Sequence, residues 1–182
     1  MYNNDQEKRN IEYLNIQDEG GTNEIITKVT SRIINQINEI NSISRTNIPV
    51  SELTVALQCG GSDSYSGITA NPALGFASDM IIDHGGTTLL SETPEIYGAE
   101  HLLFEKSSNE KNIEKLNKQI EWWKKYVANN DSTLDNNPSP GNKKGGLTTI
   151  LEKSLGAVSK AGNRNMVDVL DYAEQVKTKG FN

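Results

Sequence analysis

The sequence predicts an α/β fold in which a short parallel sheet is flanked by helices, a Rossmann-like core. Two short apolar runs, at residues 53–57 and 87–91, alternate with segments of helical periodicity. A stretch dense in glycine and small polar residues, QCGGSDSYSGITANPALG at 58–75, directly follows the first run. Loops of this kind bind ligands where they follow the carboxyl ends of parallel strands.

The composition limits the classes of function that the chain can serve. It has 182 residues and a net charge of −6, without the clustered basic surface that nucleic-acid binding needs. No apolar run reaches the roughly 20 residues that span a bilayer. One cysteine and a polar amino terminus predict a cytoplasmic protein. We expect a polar arm or linker at 1–19 and one α/β region at 20–182.

The first half of that region contains two predicted helices and the first strand. Isoleucines and a valine at three- and four-residue spacing predict an amphipathic helix at about 23–42. The run LTVAL at 53–57 predicts a buried strand. Asn71 and Pro72 predict the start of a helix that ends near His84, because Asn caps helices and Pro suits the first turn.

The second half begins with a strand at 87–91 and a short helix at 98–105. Ser107 with Glu110 forms a capping-box pattern that predicts the start of a long helix. A loop is expected at 129–146. The apolar residues Leu147, Ile150, Leu151, Leu155 and Val158 then predict another helix, which closes near Gly162. Residues 167–172 fit a strand or a helix equally well.

The glycine-rich stretch is the first candidate site. Its glycines allow close backbone approach, and its N–H groups could hold an anion together with the following helix. Asp63 could accept hydrogen bonds from sugar hydroxyls or hold a cation. The alternative is a connecting loop whose Ser and Asp residues cap local backbone. The hydroxyl groups that could donate hydrogen bonds to a ligand are those of Ser62, Ser64, Ser66 and Thr69.

Two further groups of residues are candidates. Glu92, Glu95 and His101 follow the second strand and could bind a divalent cation or serve in acid–base catalysis. Equally, they could be solvated or packing residues. Cys59 would suit iron as a soft ligand, or is simply a small buried residue. In the proline-rich loop at 136–146, Lys143 and its neighbour could meet a carboxylate, unless the loop is an ordinary surface loop.

Long motifs over about 20–181 resemble the altronate and galactarate dehydratase family of sugar-acid dehydratases. Ser64 stands where that family usually has Gly. The family also has an amino-terminal β-rich domain and a carboxyl-terminal part, which predicts that this chain is the central region of a larger enzyme. The motifs are LQCGGSD at 57–63, SGITANPALG at 66–75, HGGT at 84–87, LSETPEIYGAEHLL at 90–103 and NNPSPGNKKGGLTTILEKSLGAVSKAG at 136–162.

The resemblance implies dehydration of altronate or galactarate to a 2-keto-3-deoxy acid with a divalent metal, Fe²⁺ first and Mn²⁺ or Mg²⁺ as alternatives. It implies Cys59, Glu92 and His101 near the metal, and His101, Glu92 and Glu95 in catalysis. The partners expected are a small sugar acid and the missing domains or a second copy. The residues implied in substrate binding are Ser62, Asp63, Ser66, Thr69, Asn71, Asn142 and Lys143.

Two other functions compete with a hydro-lyase. The chain could be a non-catalytic fragment that binds a sugar acid or anion without turnover. A nucleotide-binding domain is disfavoured, because it needs an acidic residue about 20 positions after the glycines and Glu92 lies about 30 after them.

Overall fold

The computed structural model describes residues 13–182, and these divide into two compact units at the boundary between Asn47 and Ile48. The first unit contains helix α1, Thr22–Ser42, close to the predicted bounds. None of its residues is buried, and most isoleucines of its apolar side are exposed, namely Ile26, Ile33, Ile34, Ile37 and Ile40. The polar arm predicted at 1–19 lies largely outside the described residues.

The second unit contains a parallel two-stranded sheet, which confirms the α/β class. Strand β1, Thr54–Leu57, leads into helix α2, Ala70–Asp83, and strand β2 is Thr87–Leu90. The strands pair in register from Thr54 opposite Thr87 to Leu57 opposite Leu90. Their carboxyl ends therefore lie side by side, and Gln58 and Ser91 begin adjacent loops.

The prediction that β1 is buried was wrong, since Leu57 is its one buried residue. Within residues 13–182, β1 pairs with β2 alone and is an edge strand. The other side of β2 is covered by the last residues of the chain. Asn182 donates its N–H to Thr88 O at 2.9 Å and accepts from Leu90 N at 2.9 Å, and Phe181 forms parallel bridges with Thr88 and Met166.

The remaining helices pack around this sheet. Helix α3 is His101–Phe104, α4 is Glu110–Asn129, α5 is Pro140–Lys144 and α6 is Ile150–Ser159. Side chains from α4, α6 and the segment after β2 form the core with Phe181. Residues 167–172 form neither a helix nor a strand.

Several predicted helix boundaries need correction. Helix α4 is capped by Asn109, whose side chain accepts from Lys111 N, and the Ser107–Glu110 capping box does not form. The capping box instead occurs at Ser139 and Asn142, and it starts a helix inside the predicted loop. Asn71 lies inside α2 rather than capping it.

Helices α2 and α6 meet through glycines. A Cβ atom on Gly75 would lie 2.2 Å from Ser159 O, and one on Gly156 would lie 3.2 Å from Gly67 Cα. Asn71 Nδ2 donates to Gly156 O at 3.0 Å across the same contact. The turn after α6 is held by Asp79 of α2, which accepts from Asn163 N at 2.7 Å and Arg164 N at 3.1 Å.

Replacing Gly75 by Ala is expected to lower the free energy of unfolding by roughly 1–3 kcal/mol, because the added methyl forces two backbones apart. Urea unfolding followed by circular dichroism measures the effect. Gly141→Ala is the matched control. Its added Cβ meets nothing closer than 3.8 Å, so it should leave stability unchanged or higher. Equal behaviour of the two variants would contradict the close helix contact.

A salt bridge between Lys115 and Glu174 joins the carboxyl-terminal segment to α4. Glu174 Oε2 accepts from Lys115 Nζ at 2.7 Å and from Asp171 N at 2.9 Å. The hydrogen bond from Lys115 and that from the Asp171 backbone lower the pKa of Glu174 to about 2. Because the pKa of Glu174 is lower in the folded state than in the unfolded state, the ionised side chain stabilises the fold. This stabilisation is present above the ordinary Glu pKa and is lost as pH falls toward 2.

Glu174→Gln should therefore lower the melting temperature at pH 7, and the difference from the unsubstituted chain should shrink as pH falls below about 4. Differential scanning calorimetry between pH 2.5 and 7 tests this prediction. A difference that is the same at every pH would show that the charge of Glu174 is not responsible.

Candidate functional site

A cavity of about 250 Å³ lies where the loop after β1, the loop after β2 and helix α6 meet. The first loop contributes Cys59, Ser62 and Asp63, and the second contributes Glu92. Helix α6 contributes two lysines, Lys153 and its C-cap residue Lys160. The other lining residues are Ser64, Gly67, Ile68, Asn71, Leu147, Glu152, Leu155, Gly156 and Ala157.

The proline-rich loop joins the glycine-rich loop directly. Asn142 Nδ2 donates to Ser62 O at 2.9 Å, and Ser64 N donates to Gly145 O at 3.1 Å. Asn142 Oδ1 also accepts from Ser139 N at 3.0 Å. Asn142 therefore holds two loops together, and it fixes the rim of the cavity rather than lining it.

The centre of the cavity is a buried ion pair. Glu92 is 1% exposed, and its Oε1 accepts a hydrogen bond from Lys160 Nζ, which is itself almost fully buried. Its Oε2 has no hydrogen-bond partner. Burial raises the pKa of Glu92 and Lys160 opposes that rise, while nearby Glu95 adds to it. Glu92 is thus a carboxylate with one uncommitted oxygen and increased basicity.

Three predicted polar residues of the glycine-rich loop, Asp63, Ser66 and Thr69, make hydrogen bonds within that loop. Asp63 Oδ1 accepts from Ser66 N at 2.7 Å and from Ser66 Oγ at 2.9 Å, and these bonds lower the pKa of Asp63. Thr69 is exposed and donates its hydroxyl to Tyr65 O at 2.8 Å. The capping alternative therefore describes Ser66 and Thr69, although Asp63 also lines the cavity.

Other predicted residues lie away from this cavity. His101 and Lys143 are exposed and are not among its lining residues. Glu95 lines a second cavity, of about 400 Å³, on the other side of Glu92. Their proposed roles stay predictions, and Glu92 is the predicted catalytic residue that the structure places beside the other site residues.

The implied iron can be compared with these donors. Cys59 and Glu92 line the cavity, but His101 does not, and residues 13–182 contain no group of three His, Cys, Asp or Glu side chains positioned for a metal. The described residues therefore do not form a complete iron site.

No helix in the same range is long and apolar enough to cross a membrane.

The sequence analysis missed Lys153 and Lys160. It assigned the helix by its apolar residues, but Leu151 and Leu155 are exposed at 47% and 46%, while Lys153 is 7% exposed and Lys160 3%. A signal was present, because the two lysines are seven residues apart and so share a helix face. That face also carries Gly156 and Ala157, small residues that permit close packing.

An α/β region with a charged cavity at its strand ends is typical of an enzyme acting on a small anion. The chain matches the family described as D-galactarate/altronate dehydratase, C-terminal, over residues 50–182. The chain belongs to this family.

Curated relatives agree with the family match. Altronate dehydratase of Bacillus subtilis is 50% identical over 137 residues, which cover 75% of this chain and 28% of that protein. Galactarate dehydratase (L-threo-forming) of Escherichia coli is 41% identical over 145 residues, covering 80% and 28%. The (2R)-sulfolactate sulfo-lyase subunit beta of Chromohalobacter salexigens is 34% identical over 160 residues, covering 86% and 41%. The chain thus spans little more than a quarter of the two dehydratases.

Replacing Lys160 by Met should lower the free energy of unfolding by about 3–5 kcal/mol near neutral pH, because it leaves the Glu92 carboxylate buried without its cation. The pKa of Glu92 then rises further. A carboxyl group with a raised folded-state pKa costs more as pH increases, so the loss should be smaller at pH 4 than at pH 8. Urea unfolding at both pH values measures it.

Lys118→Met is the control, since Lys118 pairs with Glu114 on the exposed face of α4. It should change stability by less than about 1 kcal/mol. The double variant Glu92→Leu with Lys160→Met should recover most of the loss. A Lys160→Met effect that does not depend on pH, or no recovery in the double variant, would contradict the buried ion pair.

Proposed function

We propose that residues 50–182 form the substrate-binding and proton-transfer part of a sugar-acid dehydratase. The observation that supports this most directly is the cavity in which Glu92 and Lys160 face Cys59, Ser62 and Asp63. The substrates in the relatives' names, altronate, galactarate and sulfolactate, are all hydroxy acids that carry at least one carboxylate. A cavity with two ammonium groups and several hydroxyl groups suits such anions.

In this proposal Glu92 is the general base. Its Oε2, which makes no hydrogen bond, takes the proton from the carbon beside the substrate carboxylate. Lys160 donates a proton to the departing β-hydroxyl group, which leaves as water. The protonated Glu92 carboxyl group then releases a proton and Lys160 regains one, which restores both charges. The product is the enol of a 2-keto-3-deoxy acid, and it tautomerises to the keto form.

Burial supports both steps. A carboxylate with a raised pKa is a stronger base, and an ammonium group in a low-dielectric cavity stabilises the negative charge that develops on the substrate.

Several expectations stay predictions for the whole dehydratase. Its metal is expected to be Fe²⁺, with Mn²⁺ or Mg²⁺ as alternatives. It is also expected to have a Rossmann-like sheet with further strands, to be cytoplasmic and to assemble with other domains or copies.

The experiment measures turnover of galactarate or altronate by the 182-residue chain in the presence of Fe²⁺. The rate of 2-keto acid formation is the quantity measured. Glu92→Gln should lower kcat by 10²-fold or more, since Gln cannot accept the proton, and should change KM less. Glu114→Gln is the matched control, because it makes the same change on the exposed face of α4, where Glu114 pairs with Lys118, and it should retain most of the activity.

The outcomes separate two functions. Turnover that depends on Glu92 supports the hydro-lyase. Binding of galactarate without turnover contradicts catalysis by this chain and supports a non-catalytic module that binds sugar acids. An equal loss of activity in Glu92→Gln and Glu114→Gln would argue against Glu92 as the specific base.

A further inference from the structure

Lys153 is a buried lysine that forms no ion pair among residues 13–182, although Glu92 interacts with it electrostatically from a greater distance. Its side chain is 7% exposed, and it lines the same cavity as Glu92. Its Nζ donates to Asn137 Oδ1 at 2.6 Å and to Asn142 Oδ1 at 3.5 Å. Both acceptors are neutral amides, which satisfy hydrogen bonds but do not cancel a charge.

The carboxylates around the cavity are already engaged elsewhere. Glu92 pairs with Lys160. Asp63 accepts both of its short hydrogen bonds from Ser66. Glu152 Oε2 accepts from Thr148 N at 2.8 Å and from the Thr148 hydroxyl at 2.7 Å, as part of the start of α6. Asp63 and Glu152 keep their negative charges but are only half-buried, so the fully buried charges of the cavity are two ammonium groups and one carboxylate.

A buried charge without a counterion is costly, and a cavity beside it attracts an ion of opposite sign. Lys160 forms an ion pair with Glu92, so among the fully buried groups the charge without an ion pair is that of Lys153. We propose that Lys153 is the residue that binds the substrate carboxylate in this cavity, which makes the site specific for hydroxy acids over neutral polyols. This inference rests on the proposed function, because it assigns one role within the same cavity.

The test compares galactarate with galactitol, the corresponding neutral polyol, as ligands of the 182-residue chain. Isothermal titration calorimetry should give tighter binding of galactarate, with an affinity that falls as NaCl increases. In Lys153→Met the affinity for galactarate should fall at least 10-fold, and the preference over galactitol should disappear. Lys118→Met, which removes an exposed lysine, should bind as the unsubstituted chain does.

Stability without ligand gives a second measurement. Because Lys153→Met removes an uncompensated buried charge, it should unfold at the same urea concentration as the unsubstituted chain or at a higher one. A variant that fails to fold would show that Lys153 is a structural link between Asn137 and Asn142, and would overturn the proposal. Equal galactarate affinity with and without Lys153 would overturn it as well.

A third measurement needs no substitution. Acetic anhydride labelling of the unsubstituted chain, read by mass spectrometry, should show less labelling of Lys153 when galactarate is present, while Lys118 is unaffected. Galactarate binding that leaves Lys153 labelling unchanged contradicts this inference and leaves the dehydratase proposal standing. Absence of binding by both galactarate and altronate would instead count against the proposed function itself.

Discussion

The site depends on how closely helix α6 approaches helix α2. Gly75 of α2 lets the backbone of α6 come nearer than a side chain would permit, and Gly156 of α6 lies against Gly67 in the loop that precedes α2. Since α2 directly connects the two strands, this contact fixes α6 relative to the strand ends. The face of α6 that carries Lys153 and Lys160 then lies over the loops that follow β1 and β2.

That placement creates an unusual charge distribution. Glu92 at the end of β2 is buried, and burial alone would favour its neutral form. Lys160 supplies a cation at hydrogen-bond distance, and the two groups can exchange a proton. Lys153 adds a second positive charge held only by amide oxygens. A buried lysine that forms no ion pair, beside a basic carboxylate, suits proton abstraction next to a bound carboxylate.

The sequence predicted much of this arrangement and missed its most charged part. Short apolar runs gave both strands, and Asn71, Pro72 and the stop near His84 gave helix α2, each to within a residue or two, because local patterns determine them. The glycine, glutamate and proline-rich loops were identified by composition. Hydropathy correctly predicted helix α6 but not all of its buried face, since Lys153 and Lys160 are buried beside Ile150 and Val158 while Leu151 and Leu155 are exposed. The sequence pattern alone could not identify Asn109 as the N-cap of α4 or Ser139 as the start of a capping box. Neighbouring Ser and Asn residues are equally suited to these positions.

The most direct test of the central claim is an experimental structure of the 182-residue chain with galactarate bound. The account predicts that Cys59, Ser62, Glu92, Lys153 and Lys160 line one cavity, with a substrate carboxylate within about 3 Å of Lys153 Nζ and the neighbouring carbon facing Glu92 Oε2. A structure in which these lysines point to solvent, or in which galactarate binds away from Glu92, would contradict it.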